Sequence, residues 1–319
     1  LRKRVLLSRP MPPGTIRAAS DLFEVEVRES TQPMTRAELR SGLAVFDGMM
    51  LTLGDMVTEE VLRDFGRPRC KILANFGVGY NHIDAEACRA HGVTVSNTPG
   101  AVTDATADVA MTLILMTCRR AGEAERLVRS GQWSGWHPTQ MLGTHVTGRK
   151  LGVIGMGRIG QAVARRCHLG FGMEVGYFNR SEKQVEHPAT RFDTIRDLAG
   201  WADILVVATP ASPETHHLVN ADVFAAMQPH GILVNIARGD IVEEAALIAA
   251  LQGGQIAGVG LDVYEHEPIV PPALIAQENA VLLPHLGTAA LNIREDMGAM
   301  AVENLRAHFA GEEVPNRVN

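Results

Sequence analysis

The chain has 319 residues, 46% of them hydrophobic and 21% charged, which is long enough for about two domains and too evenly mixed for a disordered or fibrous protein. Its formal net charge of −6 argues against a general nucleic-acid surface, because phosphate backbones are met by basic patches. Small anionic ligands stay open, since they need positive charge only locally.

The basic opening LRKRVLLSRPMPP has an apolar run of about three residues, far short of a secretory core. The most apolar long stretch, VAMTLILMTC at 109–118, is too short to span a bilayer. The cysteines Cys70, Cys88, Cys118 and Cys167 form no C-x-x-C pair and read as reduced thiols. A soluble cytoplasmic protein with no membrane partner is expected.

Short β-branched runs then alternate with amphipathic segments, as in parallel α/β proteins. In the first hundred residues strands are predicted at 3–8, 23–27, 43–47, 71–75 and 93–96, with helices at 13–20, 35–41, 55–65 and 83–91. These make a small five-stranded doubly wound unit. Pro99 and Gly100 close it, and Thr103 or Asp104 can cap a long helix over about 104–129, with Val109, Leu113, Met116 and Leu127 at helical spacing. A second α/β unit follows, with strands near 150–154, 174–178, 203–208, 231–236, 257–263 and 280–283. Its helices are predicted after Gly157, around Thr194, at Asn220 and after Gly239. Runs such as ADILVVATP suit a sheet covered on both faces. Beyond 287 the pattern is helical, without another strand, so this segment should pack back onto an earlier domain.

The stretch KLGVIGMGRIGQAVARR holds Gly155-Met156-Gly157-Arg158-Ile159-Gly160 between an apolar strand and a helix. G-x-G-x-x-G alone is weak, but here a second strand ends about 20 residues on, as a dinucleotide site requires. Gly155 allows the tight turn, Gly157 admits the pyrophosphate, and Gly160 lets helix and strand pack closely. Unpaired N–H groups at the helix start take the negative charge. NAD-using enzymes place Asp or Glu at the end of that second strand. This chain has neutral Asn179, then Arg180 and Ser181, which can fork and donate onto a 2′-phosphate. NADP(H) is therefore expected as the preferred cofactor, with NAD(H) still able to bind.

Three further strand ends carry chemistry: Arg238 in LVNIARGDIVEEAAL, Asp262, Glu265 and Glu267 in GVGLDVYEHEP, and His285 in VLLPHLGTA. Singly, each has a bland explanation as a loop or helix-start charge. In open α/β sheets, however, ligands sit beyond the carboxyl ends of the strands, where these residues would converge.

Together with GVGYNHID (77–84) and TDATAD (103–108), these motifs make the chain resemble the D-isomer-specific 2-hydroxyacid dehydrogenases over nearly its whole length, most of all the glyoxylate/hydroxypyruvate reductase branch. The resemblance implies a Rossmann dinucleotide-binding domain, 101–286, inserted in a flavodoxin-like substrate domain, 1–100 and 287–319. It implies His285 as the acid/base beside the nicotinamide, Glu267 as its partner, and Arg238 as the group that binds a small 2-oxo or 2-hydroxy acid and polarises its carbonyl. The backbone N–H groups of Val78 and Gly79 would take the substrate carboxylate. Asp262 would meet the nicotinamide carboxamide, and Thr209, Pro210 and Ile236 would line the cofactor. No metal is called for, and a homodimer is implied. Glu267 is chosen over Glu265 by its spacing to Pro268.

The other histidines singled out, including His82, His137, His145, His168, His216 and His217, receive no role. Lactate- or phosphoglycerate-type dehydrogenases are alternatives within the class. A cofactor-sensing binding module on the same fold is the alternative outside it.

Overall fold

The computed structural model describes residues 2–319. It divides into two units, one running to Val102 and resuming at Ala289–Asn319, the other Thr103–Thr288. Each boundary falls two residues beyond the one drawn from sequence.

The first unit runs β1 (Arg4–Leu7), α1 (Pro13–Leu22), β2 (Glu24–Val27), α2 (Arg36–Val45), β3 (Gly48–Leu51), α3 (Glu59–Leu62), β4 (Ile72–Asn75), α4 (Ala85–Ala90) and β5 (Thr94–Ser96). Its sheet is parallel throughout, in the order β2-β1-β3-β4-β5. Strand side chains alternate between faces. Met49 and Leu51 therefore join Leu39, Leu43 and Leu73 in one core, while Met50 joins Val5, Leu7 and Ile72 in another. The helix Leu291–Ala310 closes that second core with Ala301 and Leu305.

The strand expected at 43–47 is instead the end of α2 followed by β3. Thr35 and Glu38 cap the helix reciprocally, and Leu39 and Leu43, one turn apart, are both buried. The apolar run LAV thus completes a helical face, and Gly48 starts the strand where Phe309 and Leu305 crowd any side chain. The helix expected at 55–65 shortens to the single turn of α3.

The second unit runs α5 (Thr103–Cys118), α6 (Ala121–Arg129), β6 (Lys150–Ile154), α7 (Arg158–Phe171), β7 (Glu174–Phe178), β8 (Thr190–Arg191), α8 (Ile195–Trp201), β9 (Ile204–Val207), α9 (Ala221–Ala226), β10 (Ile232–Asn235), α10 (Glu244–Gln252), β11 (Gly258–Leu261), α11 (Pro272–Ile275) and β12 (Ala280–Leu282). Its parallel sheet has the order β12-β11-β10-β9-β6-β7-β8. The chain leaves β6 in one direction through β7 and β8, then returns to build the other way from β9. That reversal opens a crevice beside the end of β6. β9 and β10 are fully buried, with Val206 and Val234 in one core and Leu205 and Leu233 in the other.

The long helix expected over 104–129 is two helices. It breaks at Arg120, whose φ of +52 is left-handed and whose guanidinium pairs with Glu123. The two-residue β8 and the four-residue α11 have too few residues to show a period, and no sequence signal marks them.

Candidate active site

At the crevice, the turn after β6 is built as a dinucleotide site requires. Gly155 has φ +97, and a Cβ there would meet the Thr209 backbone at 2.7 Å. A Cβ on Gly160 would meet the Gly155 carbonyl at 2.2 Å, so α7 packs directly on its strand. At exposed Gly157 nothing lies within 4 Å of a would-be Cβ, and α7 begins there with no side-chain cap. The first N–H groups of the helix thus have no side-chain acceptor, and the backbone at Gly157 is open to close approach, which fits a pyrophosphate. Met156 is buried beneath the turn, Arg158 is exposed on it, and Ile159 is half-buried. Thr209 and Pro210 follow β9, and Ile236 follows β10, on the same carboxyl edge.

Asn179 directly follows β7, and its amide donates to the Ser181 carbonyl at 2.8 Å, fixing a tight turn. Arg180 and Ser181 are exposed on that turn. Among the described residues Arg180 makes no hydrogen bond or ion pair, and its guanidinium acts only at longer range, on the Glu214 carboxyl.

His285, Glu267 and Asp262 meet beyond β11 and β12. His285 Nδ1 lies 2.8 Å from Glu267 Oε2, and Glu267 Oε1 accepts the Tyr264 N–H at 3.0 Å. That orientation leaves His285 Nε2 without a protein partner among the described residues. Burial works against the Glu267 charge, but the His285 bond, the Tyr264 N–H and the nearby Arg238 together hold its carboxyl below the ordinary range. Tyr264 donates from its hydroxyl to the Leu283 carbonyl at 2.9 Å, tying this segment to the end of β12. Asp262 is buried, and its two carboxylate oxygens accept the N–H groups of Leu286 and Gly287 at 2.6 and 2.8 Å. Burial raises its carboxyl above the ordinary value despite those bonds. Its foremost contacts are thus with the His285 turn rather than outward, and the expected bond to a carboxamide would have to use the remaining lone pairs.

Arg238 follows β10 on a loop pressed against the Glu267 segment: a Cβ on Gly239 would overlap the Tyr264 carbonyl carbon at 1.8 Å. Among the described residues its guanidinium makes one hydrogen bond, from a terminal nitrogen to the Ala237 carbonyl at 2.7 Å, and its buried Nε has no partner. Burial draws its pKa down from the usual arginine value, with the Glu267 and Asp240 carboxylates acting the other way. A part-buried guanidinium with an unmatched donor is a receptor for an anion.

Val78 and Gly79 lie in the first unit, after β4. Asn75 donates to the Gly77 and Gly79 carbonyls at 2.9 and 3.0 Å, and Asn97 donates to the Val78 carbonyl at 2.9 Å. With the carbonyls held this way, the Val78 and Gly79 N–H groups make no hydrogen bond among the described residues. The two asparagines carried no signal in sequence, because their role depends on where neighbouring strands end.

Sequence reasoning also passed over His217, whose Nε2 lies 2.7 Å from Glu265 Oε1, with His216 stacked on it. The two acids of the EHEP segment therefore serve different histidines.

Residues 111–287 match the family described as D-isomer specific 2-hydroxyacid dehydrogenase, NAD binding domain. A glyoxylate reductase of Thermococcus onnurineus is 41% identical over 100% of this chain and 96% of its own. A glycerate dehydrogenase of Hyphomicrobium methylovorum is 33% identical, covering 98% of each chain. Among solved structures, the NADPH-dependent glyoxylate/hydroxypyruvate reductase of Sinorhizobium meliloti, in complex with NADP and malonate, superimposes with a TM-score of 0.89 at 36% identity, over 100% of this chain and 97% of that one.

Proposed function

The chain belongs to the D-isomer-specific 2-hydroxyacid dehydrogenases and is an oxidoreductase of their glyoxylate reductase branch, and from that premise we propose that it reduces small 2-oxo acids to 2-hydroxy acids, glyoxylate to glycolate and hydroxypyruvate to the D-hydroxy acid, with NADPH as preferred reductant. The observation that carries this reading is the His285–Glu267 bond of 2.8 Å beside an arginine whose buried Nε lacks a partner. The pair offers a held proton donor and Arg238 an anion receptor, which are the two things a 2-oxo acid needs.

Bound reduced nicotinamide supplies a hydride to the carbonyl carbon. Arg238 holds the substrate and draws electron density toward the carbonyl oxygen. His285 gives its Nε2 proton to that oxygen, and the 2-oxo acid becomes a 2-hydroxy acid by gaining one hydride and one proton. Glu267, on Nδ1, fixes the orientation of the ring and leaves Nε2 as the atom that exchanges the proton. In oxidation neutral His285 takes the hydroxyl proton back. The N–H groups of Val78 and Gly79 take the substrate carboxylate. Arg180 forks onto the 2′-phosphate, Ser181 adds a hydroxyl donor, and the neutral Asn179 removes the repulsion an acid would bring.

Glycerate is the hydroxy acid formed from hydroxypyruvate, so the relative named for glycerate is compatible with the same site chemistry. The chain forms a homodimer in this reading, through the 119–149 segment, where Trp136 and Leu142 are 80% and 67% exposed. Light scattering on the wild type and on Trp136→Ala tests this; a wild-type monomer removes it.

Initial rates with glyoxylate and with hydroxypyruvate, each against NADPH and NADH, test the reading as a whole. Turnover of either acid with NADPH preferred is expected. Turnover favouring NADH would leave the reductase and remove the role of Arg180. Tight NADPH binding without turnover of any small 2-oxo acid would overturn the enzyme in favour of a cofactor-sensing module.

A further inference from the structure

The second unit carries a side-chain cluster that the reduction does not use. His216 and His217 follow the short 3-10 turn Pro213–Thr215 beyond β9, and Glu265 follows β11. Side chains of adjacent residues in extended backbone point apart. Here His217 has a left-handed φ of +51, and the two imidazoles lie on one side, ring centroids 3.9 Å apart and planes 26° from parallel. His217 Nε2 is 2.7 Å from Glu265 Oε1, and one nitrogen or oxygen from each of the three side chains lies within 4.8 Å of the others.

Both partners are braced from behind. The Glu244 N–H donates to Glu265 Oε2 at 3.3 Å, and the His217 N–H donates to the Asp240 carbonyl at 2.8 Å. A hydrogen-bonded pair of His217 and Glu265 explains two of the three residues. It gives no reason for His216, whose exposed ring makes no hydrogen bond among the described residues and is brought over its neighbour by an unfavourable backbone angle.

We propose that His216, His217 and Glu265 bind one divalent transition-metal ion of zinc type, apart from the hydride-transfer site. Two imidazole nitrogens and one carboxylate oxygen, with water completing the shell, are a set that such ions accept. The Glu244 N–H on the far carboxylate oxygen is the outer hydrogen bond that orients a ligating carboxylate. The four cysteines are buried, so no surface thiol competes for the ion. Small side-chain rotations bring the ligand atoms from their present spread to bonds of about 2.0–2.2 Å. The ion would link the loop after β9 to the segment that carries Glu267, and so stiffen the support of His285.

The test uses the untagged full chain, freed of metal by chelator dialysis and titrated with Zn²⁺ by calorimetry. Wild type is expected to bind one ion per chain. His216→Ala and Glu265→Gln should lose that binding, and His137→Ala should keep it, with NADPH affinity serving as the check that every variant is folded. Cu²⁺ binds such nitrogen and oxygen ligands more tightly than Zn²⁺, so at saturating Cu²⁺ electron paramagnetic resonance should show two coordinating imidazoles in wild type and one in His216→Ala, whose Zn²⁺ binding is lost. Absence of Zn²⁺ binding by wild type, or equal binding by folded His216→Ala, overturns the site. Since the readout is metal binding, its outcome is independent of which 2-oxo acid the enzyme reduces.

Discussion

The backbone N–H of His285 donates to the carbonyl of Asp262 at 2.9 Å, while the Asp262 carboxylate accepts from the next two residues, Leu286 and Gly287. His285 sits at φ +55, a left-handed angle that a non-glycine residue keeps only where its surroundings hold it. Asp262 is therefore what presents the imidazole. Asp262→Asn replaces a doubly accepting carboxylate by an amide that can accept on one side only. A hydrogen bond to a charged group contributes about 1.5–3 kcal/mol, so kcat should fall about ten- to a hundredfold. Its raised carboxyl pKa means that stability is lost as pH rises from the unfolded-state value through the native one, where the buried carboxyl takes up its charge. Removing the charge offsets part of the lost bonding, and the melting temperature should move by no more than about 4 °C. Rates and calorimetry on one preparation decide; a large fall in stability with unchanged kcat would contradict this account.

His285→Gln keeps a polar side chain but removes the transferable proton. General acid catalysis is worth roughly 10²- to 10⁴-fold, and kcat should drop by that order while NADPH affinity stays near wild type. Stopped-flow binding beside steady-state rates separates the two. Glu267→Gln should give a smaller drop, because the amide oxygen can still accept from Nδ1, while the charge and the bond from the Tyr264 N–H are lost.

Arg180→Ala should weaken NADPH binding about ten- to a hundredfold, the loss of one charged hydrogen bond, and leave NADH unaffected. Fluorescence titration with both cofactors measures the ratio. Equal effects on the two would show that Arg180 contributes nothing specific to the 2′-phosphate.

Burial pushes the thiols of Cys70, Cys88 and Cys167 up to about 12 and that of Cys118 up to about 11. Since the thiolate is the nucleophile, alkylation at pH 8 should be negligible in the folded chain and complete at all four positions in denaturant. Mass spectrometry after a timed iodoacetamide pulse counts the adducts. Rapid native modification of any of the four would mean that its core opens.

Much of the molecule was legible because its signals are local. The turn Gly155–Gly160 states its own geometry, since a glycine is needed where backbones touch, and strand and helix flank it in sequence. The strands β9 and β10 announce themselves as unbroken apolar runs. Boundaries failed where two periods fit the same residues: Leu43, Ala44 and Val45 satisfy a strand as well as a helix, and only the cap at Thr35 together with burial of Leu39 decides. The break at Arg120 has no proline to mark it, and the nearby Gly122 falls inside α6; the left-handed angle is at Arg120 itself, whose guanidinium pairs with Glu123.

By itself the sequence determined the class of fold, the turn after β6, and which residues carry transferable protons and charge. These depend on residue type and short spacing, which are written along the chain. Tertiary structure decided the partnerships: Glu267 with His285 across 18 positions, Asp262 with Leu286 across 24, and Glu265 with His217 across 48. Such distances along the chain are closed only by the order of strands in the sheet, which places the ends of β9, β10, β11 and β12 side by side.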